Sequence, residues 1–332
     1  MEFALSEEQS ELASIIRALL ERHADSRAVR QAADSERGYD NALWRLLCEQ
    51  VGVAGLAIPE EHGGAGFSLF ESLLVLEELG RSLAPSPLLS TLVTSEALLA
   101  GADEEARARL LPRLAAGEVG AFADGGSARL VLDGDRATVL VVATGDGLFE
   151  VDPATAERSW TPSMDQTIRL ADVSVDLARA TRIARDAAPA RERAALVGSV
   201  GVAALQTGAA TRALDMTVAY SREREQFGRP IGSFQALKHR MADMLVEVET
   251  SRSASRAASY AVASGAENAT ELTHVAKAWC GDALTHVAAE TVQLHGGIAI
   301  TWEHDAQLVL KRAHALGELF GSAHEHRAAL EL

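Results

Sequence analysis

Between residues 119 and 185 the helical spacing of apolar residues breaks off and then resumes, and this interruption limits the possible folds more than any other feature of the chain. On either side, apolar residues recur every three to four positions, the period of a helix with one buried face. Inside the interval, short β-prone runs (Ala128 to Leu132, Thr138 to Ala143, Gly147 to Val151) are separated by Asp-Gly pairs at 133–134 and 146–147. Such pairs favour tight hairpin turns. The pattern predicts an α+β protein in three parts: an N-terminal all-α domain (1–118), a small middle β domain (119–185) and a C-terminal four-helix-bundle domain (186–332).

The helices announce their own ends. Ser6 followed by Gln9 has the S-x-x-Q form of a capping box, and Leu12, Ile15, Ile16, Leu19 and Leu20 follow at helical spacing. Leu43, Leu46 and Leu47 mark a second helix. A third runs from Leu69 to Leu83 and is stopped by Pro85 and Pro87. Asp103 reads as an N-cap, with Glu104 and Glu105 in the first turn where the helix dipole favours acid. After Ser233, the residues Phe234, Leu237, Met241, Met244 or Leu245, and Val248 form one stripe, with Lys238, Arg240, Asp243 and Glu247 off it. Alanine-rich stretches (194–213, 254–266, 276–289) let helices approach closely.

Charge and cysteine usage exclude several function classes. A net charge of −16 with no Lys/Arg block repels a phosphate backbone, so nucleic acid is not an expected partner. No apolar run is read as reaching the roughly 18 residues that cross a bilayer. The opening MEFALSEEQSELA is acidic where a signal peptide is basic, so the expectation is a cytoplasmic protein without a membrane partner. Cys48 and Cys280 lack CxxC spacing and read as small buried hydrophobes. His286, His295, His304, His314, His324 and His326 lack the i, i+3 or i+4 spacing of helical ligand pairs, so no metal site is expected.

Three stretches together resemble the acyl-CoA dehydrogenase family of flavoproteins, in the family's domain order and over nearly the whole chain. They are GLAIPEEHGGAG (55–66) with the later LLPRLAAGE (110–118), RALDMTVAYSREREQFGRPIGSFQALKHRMADM (212–244), and AETVQLHGGIAITWEHDAQLVLKRA (289–313). The resemblance implies that Arg224, Gln226, Phe227, Gln293 and Gly297 reach across a subunit interface to the adenosine-pyrophosphate half of a neighbour's FAD. A guanidinium at Arg224 suits a pyrophosphate through paired charge-assisted hydrogen bonds. Gly296 and Gly297, lacking Cβ, let a backbone pass close to a ligand. Arg224 has a plainer reading as a solvated helix-end charge and Phe227 as ordinary core. Gln293, on an otherwise apolar helix face, reads as a buried amide that needs partners, which favours ligand contact.

The chain also departs from the family pattern. Most members carry their α-proton base, a glutamate, in a YEGT-like stretch, which aligns Phe320 with the tyrosine, Gly321 with the glutamate and Ala323 with the threonine. Others carry it on the first long helix of the C-terminal bundle, which aligns with Gly198. Glu192 lies nearly two turns too early. No catalytic residue is therefore assigned to this chain. The middle domain is shorter than the family's, and Trp160, Thr161 and Ser163 do not match its flavin-contacting strands.

These departures resemble the short, base-less subunit of heteromeric (α2β2) acyl-CoA dehydrogenases of actinobacterial steroid degradation. The resemblance implies a full-length partner that supplies the glutamate and the flavin-ring contacts. It further implies an acyl-CoA substrate, with room for bulky polycyclic groups, and an electron-transfer flavoprotein or other acceptor. Competing expectations are a homo-oligomeric dehydrogenase using a displaced carboxylate such as Glu318, a flavin monooxygenase on the same fold, and a structural scaffold subunit without cofactor contact.

Overall fold

The computed structural model describes residues 5–330. The question of a leader turns in part on residues 1–4, which lie outside the described residues. Six helices come first: α1 (Glu7–His23), α2 (Ser26–Asp34), α3 (Asn41–Gln50), α4 (Leu69–Ser82), α5 (Leu88–Gly101) and α6 (Glu104–Ala115). The Ser6–Gln9 capping box forms in both directions, and Asp103 accepts the Ala106 N–H at 2.9 Å. Helix α4 stops at Ser82 because Leu83 turns left-handed at φ +60° ahead of the prolines. Helix α5 was not foreseen: it is apolar all round and buried, so it shows no amphipathic period.

Seven strands follow: β1 (Gly120–Asp124), β2 (Ser127–Leu132), β3 (Val139–Thr144), β4 (Gly147–Val151), β5 (Glu157–Thr161), β6 (Leu170–Ser174) and β7 (Thr181–Ala184). They form two small sheets, ordered β1-β3-β4-β7 and β2-β6-β5. The expected turn at Asp146-Gly147 is present, with Thr144 opposite Gly147 in an antiparallel pair. The hairpin expected at Asp133-Gly134 is not. Strands β2 and β3 lie in different sheets, β2 pairing with β6 and β3 with β1 and β4. Asp133 instead turns the chain between sheets at φ +52°, with its side chain buried.

Helix α7 (Ala188–Glu223) opens the C-terminal region, followed by a two-residue ladder of β8 (Glu225–Gln226) and β9 (Arg229–Pro230). Helices α8 (Gln235–Ser264), α9 (Ala269–His295), α10 (Ala306–Glu318) and α11 (Ala323–Ala328) complete it. Small residues bring α7 hard against α4: a Cβ on Gly208 would lie 1.9 Å from the Glu77 carbonyl oxygen, and one on Gly80 2.3 Å from that of Leu205. The expectation about apolar runs needs correction here. Helix α7 is long and apolar enough to cross a bilayer, but 78% of that stretch is buried inside the fold, so it is the bundle's core helix. On α8, Met244 faces inward and Leu245 outward. Cys280 is buried as expected, whereas Cys48 is only half-buried; burial pushes their thiols up to about 11 and about 12.

Candidate cofactor arms and the remnant catalytic cleft

Two arms leave one end of the bundle. Tyr220, in the last turn of α7, stacks on His295, the last residue of α9, with ring centroids 4.5 Å apart. The first arm begins four residues beyond Tyr220 and the second immediately beyond His295, so this stack sets both departure points together. Arg224 caps α7 with its N–H donated to the Tyr220 carbonyl at 2.9 Å. Its guanidinium is exposed, and among the described residues it makes no ion pair. Gln226 is exposed, and Phe227 is 93% exposed at φ +54°, which rules out the core reading for its ring. A bulky side chain at positive φ costs energy that interior packing does not repay here.

The second arm carries Gln293, Gly296 and Gly297. Gln293 is exposed, which corrects its reading as a buried amide. Gly296 ends α9 at φ +66°, ψ −144°, a region open only to glycine. No atom lies within 4 Å of a Cβ built on Gly297, so it faces open space. The structure thus brings the six candidate residues to one end of the bundle. It presents a free guanidinium, two exposed amides, an exposed aromatic ring and a bare backbone. That donor set fits the phosphates and flat base of a dinucleotide seated outside this chain's own core.

The two glycines aligned with the family's base positions both adjoin Phe320, Gly198 against its ring and Gly321 next to it in the chain. Gly198 is buried in α7, and a Cβ built there would lie 2.2 Å from the Phe320 ring, so the ring already fills the space a side chain would take. Phe320 and Gly321 are consecutive left-handed residues, at φ +56° and +98°. Two buried groups hold this strained turn. Lys277 Nζ donates to the Gly321 and Gly317 carbonyls at 2.7 and 3.2 Å, and burial pulls its ammonium down to about 8. His326 Nε2 donates to the Phe320 carbonyl at 2.8 Å, while its Nδ1 sits 2.8 Å from His274 Nδ1. Burial holds His326 below its ordinary value, and of the two facing Nδ1 atoms one donates and the other accepts.

A cleft of about 400 Å³ opens beside Phe320, between α5, β1, β2 and the start of α7. Its walls are mostly apolar, including Val93, Phe122, Val131 and Leu319. Glu318 and Glu192 are both exposed, and neither lines this cleft. The lining carboxylate is Asp124, paired with Arg191 at 2.6 Å. Behind the wall lies an acid that sequence reasoning missed. Asp133 Oδ2 is 2.7 Å from Ser90 Oγ, which is also 3.0 Å from the Pro87 carbonyl. Burial pushes Asp133 up to about 7, against the Ser90 hydrogen bond, which lowers it.

Comparison with known proteins identifies the framework. Residues 6–118 match the acyl-CoA dehydrogenase N-terminal domain, and residues 190–330 match the acyl-CoA dehydrogenase C-terminal domain. The chain is 47% identical to acyl-CoA dehydrogenase IpdE2 of Mycolicibacterium smegmatis over 328 residues, covering 98% of this chain and 99% of that one. The chain belongs to the acyl-CoA dehydrogenase family. Two solved structures share its fold: a variant of the Tcur3481-Tcur3483 steroid ACAD (31% identity, TM-score 0.85, 97% of this chain and 96% of that one), and the ChsE4-ChsE5 complex from Mycobacterium tuberculosis (25% identity, TM-score 0.87, 99% and 97%). The alignment with IpdE2 takes in 328 residues and nearly all of both chains, so that relative is of much the same length as this chain.

Proposed function

We propose that this chain is the base-less subunit of an FAD-dependent acyl-CoA dehydrogenase that introduces an α,β double bond into an acyl-CoA thioester. The observation that carries the reading is the Phe320 ring packed into the space that a side chain at Gly198 would take. Neither base position holds a proton acceptor, whereas the arms bearing Arg224, Gln226, Phe227, Gln293, Gly296 and Gly297 stand free. A full-length partner subunit supplies the glutamate, and this chain completes the partner's FAD site in an α2β2 assembly in the cytoplasm.

FAD, when bound, would supply the acceptor for the β-hydride, and its two electrons would then leave to an electron-transfer flavoprotein or equivalent acceptor. This chain's own residues do three things. Arg224 neutralises pyrophosphate charge with directed N–H groups. Gln226 and Gln293 would offer hydrogen bonds to the dinucleotide, and Phe227 an exposed ring to pack on its adenosine half. The glycine turn at 296–297 brings its backbone against the ligand. A positioned base is worth roughly 10²- to 10⁴-fold in rate, so a chain without one depends on its partner for turnover. The steroid ACAD relative and the ChsE4-ChsE5 complex support a bulky, steroid-derived acyl group and a heteromeric assembly.

Co-expression with a full-length partner followed by flavin analysis tests the proposal. The expected result is a mixed complex with about half a flavin per chain, active only when both chains are present. A full flavin complement on this chain alone contradicts it. Oxygen-dependent hydroxylation with a reductase instead favours the monooxygenase alternative, and unchanged partner flavin after Arg224→Ala favours a scaffold.

A further inference from the structure

The second arm, from Gly296 to His304, opens with a short 3-10 turn (Gly296–Ile300) and packs inward through Ala299, with Lys311 over the Trp302 ring, but much of it is open. Ile300 is 78% exposed, and Ile298 and Trp302 are also open to solvent. A loop of this kind must be ordered from its ends, because ordering it during binding subtracts from affinity. Its near end is fixed by the Tyr220–His295 stack, and the His304 ring returns to within 4.7 Å of His295. Its far end runs straight into Asp305, whose carboxylate is only 11% exposed.

Asp305 gathers three donors from two other helices. Ser26 Oγ and Arg30 Nη2, both on α2, donate to Oδ1, the arginine at 3.0 Å. Arg212 Nη2 on α7 donates to Oδ2 at 3.1 Å. The arm's last residue therefore ties together an N-terminal helix, the core helix and the start of α10. His304 Nδ1 also accepts the Ala306 N–H at 3.2 Å, so the turn next to the clasp is bonded internally as well.

We propose that Asp305 is a positioning residue for the dinucleotide arm: it touches no cofactor but holds 296–304 in the binding shape by clasping Ser26, Arg30 and Arg212. The inference rests on the function proposed above. It makes α2, which contributes no cofactor ligand, part of the machinery that retains flavin. An Asn at 305 keeps the shape but turns its amide N–H₂ toward one of the two guanidiniums, which breaks that side of the clasp.

The test has two readouts, both taken on the full chain. In the isolated chain, Asp305→Asn should raise amide hydrogen exchange by about tenfold or more across 296–304 and leave α9 and α10 unchanged, with Asp305→Glu recovering part of the protection. In the partner complex, Asp305→Asn and Arg30→Ala should each speed flavin dissociation by about tenfold without changing the mass of the assembly. Unchanged exchange at 296–304 overturns the proposal. So does faster exchange with unchanged flavin dissociation when Arg224→Ala, run in parallel, does release flavin. If Arg224→Ala leaves flavin retention untouched, the shared-site reading itself fails, and the positioning role fails with it.

Discussion

The arm end of the bundle and the Phe320 end treat the same kind of residue in opposite ways. At the arms, an aromatic ring and a guanidinium are left in solvent and a glycine faces empty space. At the other site, an aromatic ring is pressed onto a glycine with no room for a single added carbon, and two buried cation or imidazole donors brace the turn. The difference teaches that the lack of a side chain at Gly198 is a packed state, which adding one side chain cannot undo, whereas the arms are left open at a cost in strain.

The sharpest way to break this comparison is to put the carboxylate back. Gly198→Glu forces a charged side chain into the Phe320 ring and should cost about 4 kcal/mol or more in denaturant unfolding, from overpacking and an unpaired buried charge. In a Phe320→Ala background the same substitution should cost clearly less, giving a measurable coupling energy. Equal costs in both backgrounds would mean that the ring does not occupy the site.

The next effect concerns the acid behind the cleft. Asp133 has a folded value of about 7 against 3.8 for a free carboxyl. An acid raised on folding stabilises the fold fully below its unfolded value, and this contribution is lost as pH rises through the folded one. Asp133→Asn, which keeps the Ser90 contact, should therefore gain on the parent as pH rises from 5 to 8, reaching on the order of 2–4 kcal/mol. A pH-independent difference would show that the carboxyl is ionised in the fold.

Much of this could be read from the sequence, and the gaps have physical causes. Ser6 and Gln9 declared the start of α1 because a capping box is a local contact. Arg224, Phe227 and Gly296 were found because the resemblance marked their blocks, and their exposure was beyond the reach of periodicity. Asp133-Gly134 was misread because a turn dipeptide looks the same whether it joins paired strands or passes between sheets. The Ser90–Asp133 contact spans 43 residues of sequence, and Lys277 reaches Gly321 across 44, so no local pattern could disclose either. The exposure of Gln293 could not be read because its apolar neighbours in the sequence suggest a buried face.

At the arm end the stability effects should be small and the functional ones large. Gly296→Ala forces a Cβ into a glycine-only conformation at a local cost of about 1–3 kcal/mol. Because the arm is exposed, global stability should fall by less than about 1 kcal/mol while flavin retention by the complex drops. Smallest of all, Phe227→Ser should leave thermal unfolding within about 0.5 kcal/mol of the parent and still weaken flavin retention. A large destabilisation by Phe227→Ser would mean that the ring is packed in solution and the arm is not free.

The central claim is that this chain holds no group able to take the α-proton. Incubating the isolated chain with an acyl-CoA in deuterium oxide and following deuterium at the α-carbon by mass spectrometry tests it directly, because exchange needs a base and no electron acceptor. The account predicts incorporation at the buffer rate for the chain alone and rapid incorporation for the complex with its partner. Enzymatic exchange by the chain alone would contradict it.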